Sequence, residues 1–396
     1  MDPQIFERKV ELLFKGIKII EEQPGDDAEA PSGPSNIKKV SRKGGAGPAG
    51  GFYARYHDYF QANIPLQEQM VKNSDLFMHD PTSAVKFQVF KKNKDGVLEE
   101  HVKLIKIPAP RFYNDEYVPK ERLDVGKAIP FKKIALIHAS DCVATTINQR
   151  CKYWKDGTQC LFCAIENSLE GGDTLQQKDP DALVEFTNRA RKEGRVKHFT
   201  LTSGTQDDDY GGALEYVPFA ERLKENFKYP IHVQVAPITK LEVLDKLYYA
   251  GVDNIGIHLE AYPERVRKTY CPGKSTIPMR LFEKNWDYSV DLFGSEQVES
   301  YLLVGLGETF EEFKQAVELM LSHEVIPFVV PARPIVNTKF EENQLEDYKI
   351  LVDYYKYAGT RMHEQGLNPS KSNAGCVRCG GCSAIGEAVK AAQRFA

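Results

Sequence analysis

Residues 151–163 read Cys-Lys-Tyr-Trp-Lys-Asp-Gly-Thr-Gln-Cys-Leu-Phe-Cys, and this stretch decides the fold that we expect for the chain. Its three cysteines are Cys151, Cys160 and Cys163. Three thiolates can hold three irons of a four-iron cubane cluster and leave the fourth iron open to bind and react with a small molecule. The apolar run Ile134–Ile137 lies shortly before this loop and is predicted to be the first strand of a β/α barrel.

A second triplet of cysteines lies near the C-terminus, in Cys376-Val-Arg-Cys379-Gly-Gly-Cys382. Disulfides are disfavoured in both triplets, because the chain opens on polar residues without a signal peptide. A zinc ribbon pairs two Cys-x-x-Cys hooks about fifteen to twenty residues apart, whereas here most of the chain separates the two hooks. We therefore predict an iron–sulfur cluster at each triplet, the second also of the four-iron type, with zinc as the main alternative.

Composition is typical of a cytoplasmic enzyme. The chain has 396 residues, of which 42% are hydrophobic and 27% charged, so it can bury a large core. The net charge of −4 and the lack of a basic stripe disfavour a nucleic-acid partner. No apolar run reaches the length that spans a membrane.

Three regions are predicted along the chain. Residues 1–125 form an extension with a linker-like stretch (23–35), a glycine-rich loop (43–51) and two alternating β segments, 85–90 and 101–107, joined by a turn at 94–96. The glycine-rich loop could cradle an anion, but a lid or a close-packed turn explains it as well. Residues 126–340 form the barrel, and residues 341–396 contain a C-terminal helix and the second triplet.

The barrel region is predicted to be α/β, a partial (β/α)6 TIM-like barrel. Helical patterns alternate with six apolar runs that we assign to strands: 133–138, 197–202, 231–236, 254–259, 298–304 and 326–331. Helix starts are marked by Asp179-Pro180, by Thr239 and by a capping box at Thr309–Glu312. Parallel barrels carry their chemistry at the carboxyl ends of the strands, and polar residues gather there in this sequence. They include Ser203, Gln234, His258, Glu260, Glu308 and Arg333.

Together these features resemble the radical S-adenosylmethionine (SAM) superfamily over residues 130–335, and the biotin synthase-like branch in particular. The usual motif has three residues between the first two cysteines, where this chain has eight. The Gly-Gly-Ala-Gly-Pro segment, the long cysteine spacing and the C-terminal cysteines are similar to the uncharacterised radical SAM proteins of nitrilase gene clusters.

The resemblance implies roles for individual residues. Ser203 and Gly204 would receive the SAM amino group, Glu260 would contact the methionine part, and Arg280 would bind the carboxylate. Phe162 would pack against the adenine. Further cofactor-binding residues are expected at Gln234, Gly305, Gly307 and Glu308.

The reaction implied is reductive cleavage of SAM to a 5′-deoxyadenosyl radical, which abstracts hydrogen from a small-molecule substrate. The electron would come from a flavodoxin or ferredoxin. The second cluster could donate sulfur, anchor the substrate or transfer an electron, with sulfur insertion favoured, and Cys142 or Cys271 could supply its fourth ligand. Arg333, His258, Tyr262 and the loop at 44–51 are candidates to line the substrate pocket. The alternatives are aminocarboxypropyl transfer from SAM, and a cluster scaffold or carrier without SAM chemistry.

Overall fold

The computed structural model describes residues 1–20, 51–79, 85–119, 128–343 and 347–394. Its helices are α1 (Pro3–Lys15), α2 (Glu68–Val71), α3 (Phe131–Ile134), α4 (Lys152–Lys155), α5 (Ile165–Glu170), α6 (Pro180–Lys192), α7 (Val217–Asn226), α8 (Glu242–Tyr249), α9 (Glu264–Tyr270), α10 (Met279–Phe293), α11 (Phe310–Ser322), α12 (Tyr348–Glu364), α13 (Gly375–Cys379) and α14 (Ile385–Ala391). Its strands are β1 (Lys18–Ile20), β2 (Gly51–Tyr56), β3 (Phe60–Pro65), β4 (Leu76–His79), β5 (Lys86–Lys92), β6 (Leu98–Lys106), β7 (Glu116–Tyr117), β8 (Ile129–Pro130), β9 (Leu136–His138), β10 (Cys142–Thr146), β11 (His198–Thr202), β12 (Ile231–Val235), β13 (Asn254–Ile257), β14 (Val298–Val304) and β15 (Ile326–Pro331). The predicted linker at 23–35 and all of the glycine-rich loop except Gly51 lie outside the described residues.

The barrel is a curled seven-stranded sheet in the order β15-β14-β13-β12-β11-β10-β9. Its strands from β10 to β15 pair in parallel, and β9 is an antiparallel edge strand. Helices connect the parallel strands, so the predicted partial TIM-like barrel is confirmed. The predicted strands from the second to the sixth are confirmed, and 298–304 and 326–331 have the observed bounds.

The predicted first strand, 133–138, is wrong. Its first half is the end of the short helix α3, and its second half belongs to β9, which runs antiparallel to β10. The first parallel strand is β10, and residues 139–141 form the turn between β9 and β10. Cys142 is the first residue of β10.

Strand β10 is not predicted from the sequence because its buried residues are not all apolar. All five of its residues are buried, although two are threonines. The Thr145 hydroxyl donates to the Ile134 carbonyl at 2.6 Å, which removes most of the cost of burying it. A search for apolar runs therefore selects Ile134–Ile137 and passes over the true strand.

Two of the predicted helix starts are confirmed. The Asp179 carboxylate accepts from the Ala182 amide at 2.8 Å and caps α6. Thr309 forms the predicted capping box with Glu312 at the start of α11. The helix predicted from Thr239 begins later, at Glu242.

The N-terminal region folds into a second sheet of six strands, in the order β1-β4-β5-β6-β2-β3. It contains the predicted hairpin, formed by β5 and β6. The buried Glu11 carboxylate connects α1 to this sheet, because it accepts from Lys91 of β5 at 2.6 Å and from His101 of β6 at 3.0 Å. It also accepts from Lys15 of its own helix at 2.9 Å. Burial would raise the pKa of Glu11, but hydrogen bonds from these three partners lower it well below its usual range.

The two ends of the chain pack together. Helix α1 contacts α12 and α14, and the buried ammonium of Lys9 pairs with Glu387 at 2.8 Å. Helix α13 carries part of the second triplet and contacts β11, β12, β13 and β15. The predicted divisions near 125 and 340 fall within or close to segments outside the described ranges and stay predictions. Among the described helices, none has the length and apolarity to cross a bilayer.

Candidate active site

A cavity of about 380 Å³ lies within the curl of the barrel sheet. This volume is typical of a small-molecule site, which takes roughly 300–1,000 Å³. Its walls contain every cysteine of both triplets: Cys151, Cys160, Cys163, Cys376, Cys379 and Cys382. The structure therefore brings together two motifs that are more than two hundred residues apart in sequence.

Glu166 anchors the first cysteine loop. Its carboxylate binds the Arg150 guanidinium at 2.6 Å and accepts from the Cys151 amide at 3.3 Å. At the other end of the loop, the Cys163 amide donates to the Cys160 carbonyl at 3.1 Å. These bonds fix the backbone on both sides of the long insertion between the first two cysteines.

Gly204 packs directly against this loop. A β-carbon at position 204 would lie 2.0 Å from the Arg150 carbonyl oxygen and 3.0 Å from the Cys151 Cα. The Gly204 amide also donates to the Asn148 carbonyl at 2.9 Å. Only glycine fits here, so Gly204 positions the cysteine loop as well as lining the cavity beside Ser203.

The thiols of the first triplet fit a metal cluster. Burial, with smaller contributions from Cys160 and Cys151, raises the pKa of Cys163 to about 12, and burial raises the pKa of Cys151. The neighbouring Cys271 thiol, then burial, then Glu260 raise the pKa of Cys160. Such thiols keep their protons at neutral pH until a metal displaces them. All eight cysteines are free of disulfides, and a soft all-thiolate set with an adjoining open space suits an iron–sulfur cluster with an open iron.

Glu260 lies beside this triplet in a strained backbone conformation, with φ of +66°. Its carboxylate pairs with the Lys274 ammonium at 2.8 Å, and it lies 3.8 Å from the Cys160 sulfur and 3.7 Å from the Cys271 sulfur. Burial alone would lower the pKa of Lys274, but the Glu260 carboxylate raises it above its usual value. Lys274 follows a turn, and no predicted motif contains it.

The other predicted SAM contacts divide into two groups. Phe162 and Gln234 line the cavity, and Phe162 packs in an apolar cluster that includes Leu306. Four predicted contacts are not among the residues of the cavity wall: Arg280, Gly305, Gly307 and Glu308. Arg280 is exposed on α10. Glu308 accepts from the amides of Gly305 at 2.8 Å and Leu306 at 2.9 Å, so it shapes the loop after β14.

The substrate-pocket candidates also divide. His258 and Arg333 line the cavity, whereas Tyr262 does not. His258 stacks on Tyr301, with their ring centroids 4.1 Å apart. The loop at 44–50 lies outside the described residues.

Polar side chains of the barrel and of the N-terminal sheet surround the second triplet. The Tyr301 hydroxyl donates to the Cys376 sulfur at 2.9 Å, and the Gln234 amide donates to the same sulfur at 3.4 Å. The Asn63 amide donates to the Cys382 sulfur at 3.6 Å. Hydrogen bonds to sulfur are one of the means by which proteins tune a cluster. Sequence reasoning missed Tyr301 and Asn63, although Tyr301 lies on a predicted strand.

Cys142 and Cys271, both considered as a fourth ligand of the second cluster, lie in different places. Cys142 is buried in one apolar cluster with Cys379 and Tyr53, and its sulfur is 3.3 Å from the Thr200 hydroxyl. Cys271 is buried beside Cys160 and Glu260, at the first triplet. Only Cys142 is therefore placed near the second triplet.

Residues 157–320 match the family model described as the Radical SAM superfamily. The barrel is therefore similar to a radical SAM superfamily domain over this segment. The matched segment includes Cys160, Cys163, Glu260 and the loop after β14, and it begins after Cys151. The second triplet lies beyond it.

Solved structures of radical SAM proteins are among those to which the chain is similar. Methylornithine synthase (PylB) is 16% identical with a TM-score of 0.41, and the alignment covers 52% of this chain and 58% of that one. The FeFe-hydrogenase maturase HydG from Carboxydothermus hydrogenoformans is 15% identical with a TM-score of 0.42, covering 58% and 52%. A radical SAM methyltransferase from Sphaerobacter thermophilus is 14% identical with a TM-score of 0.38, covering 68% of both. The chain spans slightly more than half the length of the first two, whose activities are not transferred to it.

Proposed function

We propose that the chain is a radical SAM enzyme whose [4Fe-4S] cluster is held by Cys151, Cys160 and Cys163. The cluster and SAM would supply a 5′-deoxyadenosyl radical that abstracts hydrogen from a small-molecule substrate. One observation carries this proposal: the three thiols, Glu260 and Ser203-Gly204 line the same cavity of a barrel that is similar to a radical SAM domain. The electron would come from a flavodoxin- or ferredoxin-type donor, and a cytoplasmic location is part of the proposal.

The residues of the cavity would bind SAM and protect the radical. Ser203, Gly204 and Glu260 would hold the amino-acid part of SAM, and Phe162 would pack against the adenine. Apolar side chains of β14 and β15, namely Leu303, Phe328 and Val330, form another part of the wall. Such a wall excludes water, which would otherwise compete for the binding groups. Because Arg280 is exposed, we propose that Lys274 is the nearer cation for the SAM carboxylate.

We further propose that Cys376, Cys379 and Cys382 hold a second iron–sulfur cluster that acts on the substrate, as a sulfur donor in the manner of the biotin synthase-like branch or as an anchor. This proposal is supported by the position of the three thiols, which line the same cavity as the thiols of the first triplet. A substrate between the triplets would meet both. A group used only for long-range electron transfer needs no such access. Membership of the nitrilase gene-cluster family remains part of this proposal.

Anaerobic reconstitution with iron and sulfide, followed by dithionite and SAM, tests the proposal by mass spectrometry of the nucleosides. We expect 5′-deoxyadenosine, together with about eight irons per chain for two four-iron clusters. Methylthioadenosine instead would indicate aminocarboxypropyl transfer. Bound clusters without any SAM product would favour a scaffold or carrier, and zinc in place of iron would contradict the assignment of both triplets.

A further inference from the structure

Cys379 lines the cavity and also a separate surface cleft. The cleft lies between the β2–β3 hairpin, α13 and α14, with Lys9 of α1 at its base. Because Val377, Arg378 and Gly380 form its wall together with Cys379, the cleft reaches the second triplet from the outer surface. Nothing in the proposed SAM chemistry uses this cleft.

The cleft is cationic, although the chain as a whole has a net charge of −4. Lys9 and Glu387 neutralise each other in a buried ion pair of 2.8 Å. The remaining cations of the cleft are Arg55, Arg378 and Lys390. All three are exposed, and none pairs with an acid among the described residues. Asp58 is the one remaining carboxylate of the lining, so the cleft keeps an excess of positive charge.

An exposed aromatic turn lies at the edge of the cleft. His57 in this turn also lines the cleft, and its backbone has φ of +47°. Tyr59 is 48% exposed, and its ring lies 5.7 Å from that of Tyr56. Tyrosine and arginine are enriched among the side chains that dominate binding energy at protein interfaces. The cleft and this turn together form one surface suited to a protein partner.

We propose that this surface is the docking site of the electron donor, an acidic protein of the flavodoxin or ferredoxin type. The inference rests on the proposed function, which requires a one-electron donor. Complexes of this kind bury little area and depend on charge complementarity, as a cationic cleft on an acidic chain provides. A donor seated here lies directly against Cys379. The donor would lose one electron to the second cluster, which would pass it to the first cluster, and no proton moves and no bond forms or breaks in this transfer.

The test measures binding of an oxidised acidic flavodoxin to the reconstituted protein by fluorescence titration at low salt. The double variant Arg55→Glu/Lys390→Glu is expected to raise the dissociation constant at least about 10-fold, and salt should weaken binding to the wild type. The matched control is Lys284→Glu, a charge reversal at an exposed lysine of α10 outside the cleft. This control should leave the dissociation constant unchanged.

Reduction by dithionite distinguishes a defect in donor docking from a defect in SAM cleavage, because dithionite reduces the protein without docking. The double variant should keep the dithionite-driven yield of 5′-deoxyadenosine and lose most of the flavodoxin-driven yield. Unchanged flavodoxin binding in the double variant would overturn the proposal, as would an equal loss with dithionite. If the wild type makes no nucleoside product with dithionite, the proposed function fails, and the titration still decides where the flavodoxin binds.

Discussion

Replacing Cys163 by alanine is expected to lower the iron content of the anaerobically reconstituted protein from about eight to about four per chain and to abolish SAM cleavage. The reason is that Cys163 lines the cavity with Cys151 and Cys160, and two thiolates cannot hold a stable cubane. Iron and sulfide analysis, electron paramagnetic resonance and nucleoside mass spectrometry measure the effect.

The matched variant is Cys382→Ala in the second triplet. It should lose a similar amount of iron yet still produce 5′-deoxyadenosine with dithionite as the reductant, because the first triplet is intact. Substrate conversion should be lost in this variant if the second cluster acts on the substrate. Equal loss of SAM cleavage in both variants would show that the two triplets do not hold separate clusters.

Replacing Glu260 by glutamine is expected to weaken SAM binding and to destabilise the cofactor-free fold by about 1–3 kcal/mol, because it leaves the largely buried Lys274 ammonium without its counter-charge. The two side chains are only 13% and 17% exposed, and they pair at 2.8 Å. Chemical denaturation measures the free energy of unfolding, and equilibrium dialysis of SAM against the reconstituted protein measures binding.

Two further variants distinguish the effect of the unpaired Lys274 charge on stability from the loss of SAM binding. Glu260→Gln combined with Lys274→Met should regain part of the lost stability without regaining SAM binding. Asp209→Asn breaks an exposed ion pair with Lys240, also 2.8 Å long, and should leave the free energy of unfolding nearly unchanged. If Glu260→Gln lowered the free energy of unfolding no more than Asp209→Asn does, the Glu260–Lys274 pair would not stabilise the site.

Much of the barrel could be predicted because its strands are buried on both faces. The strands 298–304 and 326–331 are nearly continuous apolar runs, and their bounds agree with the structure. The error at the first strand has a physical cause. In β10, threonine hydroxyls satisfied inside the fold replace apolar side chains, while the apolar Ile134–Ile137 run forms a helix end and an edge strand.

The site could be predicted where one element supplies both the residue and its position. The spacing of the cysteines marks the loop that follows β10, and the rule for strand ends marks Glu260 after the buried strand β13. The rule for strand ends does not predict contacts between elements that are distant in the sequence. Lys274 reaches Glu260 from a separate turn, and Asn63 reaches Cys382 from the N-terminal sheet. No local pattern marks either residue.

The most direct test of the account is electron paramagnetic resonance of the dithionite-reduced Cys382→Ala protein with and without SAM. In this variant the first triplet is the one intact cluster site, so any change on adding SAM reports on it. We predict a reduced four-iron signal whose g values shift when SAM is added, because SAM binds the open iron. A four-iron signal that SAM leaves unchanged, or no such signal at all, would contradict the assignment of Cys151, Cys160 and Cys163 as a SAM-binding cluster site.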